Sequence, residues 1–181
     1  LDRSSAASVV YKRPAQSLTR LGLVLGEPQS LEDGKQAWLD APEWQGLRRL
    51  VEDSFVVSDP FELFVAQNFA LDGLLYPLIY GGFVDDHVAL QGGTAVAMLT
   101  SFMPEWHDES ARWIDAVIKA AGAESDANRA LLRDWTGHWM DRAQAALSPI
   151  ARLALGDVGE TVLSDARVQL QARLAKTGVA A

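Results

Sequence analysis

From Phe61 to Tyr80 the chain reads FELFVAQNFALDGLLYPLIY, apolar almost all round, with only Gln67, Asn68 and Asp72 as polar interruptions after Glu62. A stretch of this length without alternation is a helix, and a helix apolar on every side must lie at the centre of a bundle or at an interface. The rest of the chain, or a partner, therefore has to surround it. Its polar interruptions argue against a membrane span. Ser58-Asp59-Pro60 supplies the start, with proline where a first-turn residue needs no N–H. Pro77 is expected to bend the helix, and Gly81-Gly82 to end it.

The segments around it are also helical. Residues 1–17, mixing Ser, Lys, Arg and Pro, read as an arm or connector, and Leu18–Leu25 as a short amphipathic piece. Ser30 opens a helix towards Trp38, with Glu32 and Asp33 in its first turn. After Asp40-Ala-Pro42, a further helix carries Trp44, Leu47, Leu50, Val51 and Phe55 at helical spacing. Val96, Leu99, Met103, Trp106, Ser110, Trp113 and Val117 then alternate steps of three and four and form the best heptad seam in the sequence. Pro104 should kink that helix or mark its start, and Gly122 should stop it. Asp126 begins a helix with Leu132, Trp135, Trp139, Ala143 and Ala146 on one face, ending near Ser148-Pro149. A last amphipathic helix runs from about Val158 to Leu174, and 175–181 form a tail. With no alternating strand, repeat or low-complexity tract, the expected class is all-α, over 18–174. The long helices near 59–80 and 94–121 should pack antiparallel, because the connection between them is short.

Composition narrows the function. A net charge of −8 with a pI near 4.8 lacks the basic face of a general nucleic-acid or anionic-membrane binder. The absence of cysteine excludes disulfides, thiolate metal sites and a cysteine nucleophile, and makes a reducing compartment the default. The opening LDRSSAASVVYKRPAQ has neither an initiating methionine nor an apolar signal region, so the chain is expected to begin within a longer polypeptide.

The candidate chemistry is sparse. WHDESARW places Glu109 three residues before Arg112. Bundle oxygenases carry metal ligands on such helices as Glu-x-x-His, but here the last position is a guanidinium, which has no lone pair for a metal. Glu109 is a metal-ligand candidate only if other carboxylates converge on it; otherwise Glu109 and Arg112 form a surface ion pair worth ~0.2–0.5 kcal/mol. His87, His107 and His138 form no Glu-x-x-His and no i, i+3 or i, i+4 pair. Asn68 and Asp72 share a helix face and, if buried, need partners, since an unsatisfied group costs ~1–3 kcal/mol. They read as a structural network or subunit contact, or as residual ligand-like polarity facing the Glu109 helix. The six tryptophans fall mostly on presumed core faces, which is usually packing. Gly92-Gly93-Thr94 lacks the lysine and preceding strand of a phosphate loop.

Two longer runs are specific. WLDAPEWQGLRRLVEDSFVVSDPFELFVAQNFALDGLLYPLIYGGF and VAMLTSFMPEWHDESARWIDAVIKAAGAESDANRALLRDW closely resemble the β (small) subunit of bacterial multicomponent diiron monooxygenase hydroxylases, nearest to the phenol hydroxylase and propane monooxygenase groups. The resemblance runs from about Leu18 to Leu174, the C-terminal part of a longer subunit. It implies a ferritin-like helical bundle without metal ligands, and Arg112 in place of histidine agrees. It also implies a structural role, with no catalytic, cofactor-binding or metal-binding residue in this chain. The diiron centre would sit in a partner α subunit, within an α2β2γ2 assembly with a second β subunit and γ. A reductase carrying FAD and an iron–sulfur cluster would draw on NADH, and a small effector protein would complete a cytoplasmic system. The substrate, a small hydrocarbon or aromatic, would be read by α. Two other readings stand beside this one: a stand-alone helical metal enzyme using Glu109, and a helical adaptor unrelated to oxygen chemistry.

Overall fold

The computed structural model describes residues 29–179. The expected arm and the Leu18–Leu25 piece lie outside the described residues. The described chain is α1 (Gln29–Asp40), α2 (Pro42–Ser54), α3 (Pro60–Gln91), α4 (Thr94–Thr100), α5 (Phe102–Glu124), α6 (Asp126–Leu155) and α7 (Gly159–Thr177). No strand occurs among the described residues, as the all-α expectation requires.

Helix α3 is the axis of the bundle. Asp59 caps it, its carboxylate accepting from the backbone N–H groups of Phe61 and Glu62 at 2.7 and 3.4 Å. By length and composition α3 could cross a membrane. Here its Val65, Phe69, Ala70, Leu74 and Leu78 are fully buried within the protein. Contrary to expectation, Gly81-Gly82 does not end it. The helix widens to π geometry over Val65–Leu71 and again over Pro77–Val88, then tightens to a 3₁₀ turn before Gly92. Pro77 offers no N–H, so the i→i+4 ladder is interrupted there in any case, and the second wide segment begins at that residue. The true stop is Gly92, at φ 96°. Gly82 serves close packing instead: a Cβ there would lie 2.7 Å from Val162 Cγ1.

Helices α5, α6 and α7 enclose α3, while α2 lies against α6. Phe64 meets Trp113 edge-on with ring centroids 5.4 Å apart, and Tyr76 stacks on His107 at 4.7 Å. Rising number on α3 therefore pairs with falling number on α5, and the two are antiparallel. The heptad seam is corrected by one residue. The stripe of α5 that faces inwards is Met103, His107, Ala111, Ile114, Ile118 and Gly122, while Trp113 is 60% exposed. Ile114 and Ile118 fill the interior at lower cost than an indole would, and Trp113 finds Phe64 at the bundle's edge. Pro104 lies in the first turn of α5, after the break at Ser101. Gly122 does not stop α5; it is buried where a Cβ would press on Val179 Cγ2 at 2.9 Å. The turn comes at Ser125, whose extended backbone and hydroxyl cap α6 by accepting from Asn128 N at 3.1 Å.

Nor does α6 end at Ser148-Pro149. Pro149 is carried inside a helix that runs on to Leu155, because Leu147, Ile150 and Ala151 on either side are buried and hold the backbone in register. Gly156, at φ 61°, makes the stop. The core also takes Leu132, Trp139 and Met140 of α6 and Leu163 and Leu170 of α7. Burying side chains of this size contributes roughly 1.5–3 kcal/mol each. Beyond Thr177, Val179 is fully buried.

Candidate functional site

A metal-binding bundle of this kind needs carboxylates and imidazoles turned inwards from facing helices. Glu109 and Arg112 are both exposed, on the far side of α5 from its buried stripe. Arg112 Nε donates to the Asp108 carbonyl at 3.2 Å, one turn back on its own helix. The expected Glu109–Arg112 ion pair is not among those the described residues form. Of the histidines, His138 is exposed, lying edge-on to Trp139, and His87 stacks loosely on Phe83. Only His107 enters the interior.

The polar interruptions of α3 separate. Gln67 Nε2 donates to Ser54 Oγ at 3.3 Å and ties α3 to the end of α2. Asn68 Nδ2 donates to the Phe64 carbonyl at 3.2 Å. Asp72 lies, along α3, between the Phe64–Trp113 and Tyr76–His107 contacts, so it does share the span that faces α5. Burial pushes its carboxyl up from 3.8 to about 6. Burial also lowers the His107 imidazole, with Arg173 adding to the effect, so the ring is held neutral. Its Nε2 is buried without a hydrogen-bond partner.

Where α5, α7 and α3 meet, Asp115 receives a guanidinium. Arg173 of α7 donates from Nη2 to Asp115 Oδ1 at 2.8 Å and from Nε to Oδ2 at 3.2 Å, with its guanidinium carbon 5.6 Å from the Phe69 ring centroid. The two side chains retain 29% and 22% exposure. A second polar tie, Trp139 Nε1 to Glu62 Oε1 at 3.0 Å, joins α6 to the first turn of α3. Sequence reasoning passed over both. The available signal for the first was a carboxylate four residues after Ala111 with an arginine between Leu170 and Leu174, legible only once the stripe of α5 is correctly placed.

These residues do not fit a diiron centre. Among the described residues no three of His, Asp and Glu come together in a way that could hold a metal ion. The half-buried carboxylate of α5 is already neutralised by Arg173, and the neighbouring inward positions are hydrocarbon. What the arrangement supplies is rigidity: a bidentate charge pair and an indole hydrogen bond pin α7 to α5 and α6 to α3.

The family profile described as methane/phenol/alkene hydroxylase matches residues 11–125. The chain is 49% identical over 166 residues to the oxygenase component DmpL of phenol 2-monooxygenase from Pseudomonas sp. (strain CF600), covering 91% of this chain and 49% of that protein. It is 28% identical over 160 residues to the hydroxylase component small subunit of propane 2-monooxygenase from Mycolicibacterium goodii, covering 83% and 44%. Among solved structures, a xenon-pressurised phenol hydroxylase from Pseudomonas sp. OX1 superposes with a TM-score of 0.80 at 43% identity, over 90% of this chain and 49% of that one. The chain thus spans about half the length of the curated relatives it matches. It belongs to the methane/phenol/alkene hydroxylase family, and its fold is ferritin-like.

Proposed function

We propose that this chain is a structural, non-catalytic part of the β (small) subunit in the hydroxylase of an NADH-dependent diiron monooxygenase acting on small hydrocarbons or aromatics. The observation that carries this reading is Asp115 held by Arg173: the half-buried carboxylate of α5 binds a guanidinium, and the inward positions nearest it, Ala111, Ile114 and Ile118, are apolar. The names of its relatives, an oxygenase component of phenol 2-monooxygenase and a small subunit of a propane 2-monooxygenase hydroxylase, support the assignment. In this reading the diiron centre and the substrate pocket belong to a larger α subunit. This bundle braces α in the cytoplasm within an α2β2γ2 assembly, served by a flavin and iron–sulfur reductase and an effector protein.

The deciding experiment is affinity purification of the tagged chain from its native cell, followed by metal analysis of the complex and of the separated chain. The expected result is a larger co-purifying subunit bearing Glu-x-x-His motifs, with the iron confined to it. Stoichiometric iron on the separated chain would overturn the non-catalytic assignment, and recovery without any such subunit would overturn the assembly.

A further inference from the structure

Helix α5 carries a second stripe one position round from the buried one: Trp113, Val117, Ala121 and Glu124. This is the continuation of the heptad read from the sequence, and the packing of the bundle leaves it at the edge, with Trp113 and Glu124 exposed and Val117 and Ala121 half-buried. Phe61 and Phe64 flank it, with ring centroids 5.5 Å apart and Phe64 against Trp113. At the end of the stripe, where the turn into α6 meets the start of α3, there is a cleft of about 370 Å³ between Phe61, Leu131, Trp135 and the carboxylates of Asp59 and Glu124. None of the described residues lining it is basic. The nearby Arg129 is engaged with Asp126 at 2.8 Å.

We propose that this cleft seats an arginine side chain of a partner chain, whose neighbouring apolar residues lie along the Phe61–Phe64–Trp113 row. The chemistry selects the guanidinium. Its flat face suits the aromatic walls, its fork suits carboxylates, and it gives up water more readily than an ammonium. Asp59 already accepts from two backbone N–H groups at the start of α3, and Glu124 from Asn128 Nδ2 at 3.3 Å, so both carboxylates are fixed in place. An aromatic row ending in a charged cleft has the composition of an interface hot spot. The inference extends the subunit reading by naming where a partner is anchored, and it concerns the cleft alone.

The test uses the full chain and n-butylguanidinium as probe, with n-butylurea as its neutral counterpart and n-butylammonium as the lysine analogue, at constant ionic strength. The readout is the Trp135 indole N–H resonance, assigned with Trp135→Phe. Glu124→Gln removes the charge but keeps an oxygen for Asn128, so it leaves the fold intact; Asp59 is left alone because it caps α3. The expected result is a saturable shift with butylguanidinium, about fivefold weaker in Glu124→Gln as for one partly exposed charge pair, and none with butylurea. An equal response to butylurea would reduce the cleft to an apolar groove. Equal affinity for butylammonium would remove the preference for arginine. No saturable shift, or a titration unaffected by Glu124→Gln, would overturn the site outright. Because the probe stands in for the partner, any of these results leaves the subunit reading to its own purification test.

Discussion

Replacing Asp72 by asparagine should stabilise this protein at neutral pH and cease to do so in acid. Burial raises the Asp72 carboxyl from 3.8 to about 6, so the folded state holds its proton more tightly than the unfolded chain. Above the folded value both states are ionised, and folding bears the whole cost of burying the charge. Between the two values the folded state takes up a proton first, and stability rises as pH falls. Below the unfolded value both states are protonated and the cost is gone. At 1.36 kcal/mol per pKa unit the ceiling is roughly 3 kcal/mol. The asparagine amide must itself be desolvated, which leaves a net gain of about 1–2 kcal/mol. For a chain of this size that is about 2–8 °C in Tm. Urea unfolding of the wild type and Asp72→Asn across pH measures the difference directly. His107, whose lowered pKa makes acid destabilising, is common to both proteins and cancels. The variant's advantage should be full at about pH 8, shrink through the window from about 6 to 3.8, and give way below it to a deficit of about 1–2 kcal/mol, the amide's own desolvation cost. A difference that stays constant across that window would refute the argument that burial of the charge governs this position.

Other positions give sharper structural tests. A Cβ at Gly159 would sit 2.2 Å from the Ala151 carbonyl oxygen, backbone that cannot swing aside; at Gly73 it would meet only the Leu170 methyls at 2.8 and 2.9 Å. Gly159→Ala should therefore cost about 3 kcal/mol or more and Gly73→Ala under about 2, measured by chemical denaturation. A double-mutant cycle on Asp115→Ala and Arg173→Ala should give a coupling of about 1–2 kcal/mol that survives added salt, because the pair is bidentate and largely shielded. Glu109→Ala should change stability by less than about 0.5 kcal/mol and leave the iron content of the purified complex unchanged, since the side chain is exposed; iron loss would return Glu109 to the list of ligands.

The class of the fold was legible because helical periodicity is a local property. A long α3 whose first part is apolar on nearly every side, a proline in its first turn and an aspartate before it need no knowledge of neighbours. The antiparallel pairing of α3 and α5 followed from their apolar faces and the shortness of the connection. The ends of elements were less legible. Glycine and proline mark where a helix stops most cheaply, but Gly82, Gly122 and Pro149 lie inside helices because buried neighbours hold the chain in register beyond them. The candidate site divides the same way. Arg112 in place of histidine could be read as chemistry from the residue type alone. Which face of α5 turns inwards could not, because two adjacent stripes, one headed by Trp113 and the other by Ile114, are both apolar enough to bury.

By itself, then, the sequence determined an all-α chain with one helix that had to be enclosed, and a motif unable to ligate metal at its last position. The tertiary structure decided which stripe of α5 enclosed α3, and with it that Asp115 would meet Arg173 and that Trp113 would remain outside. The physical reason is that periodicity fixes which residues share a face, while burial is a competition between faces, settled by the shape of what packs against them. Ile114 and Ile118 are buried in the same core as Phe69 and Leu170, and the larger indole of Trp113 is accommodated at the edge, against Phe64.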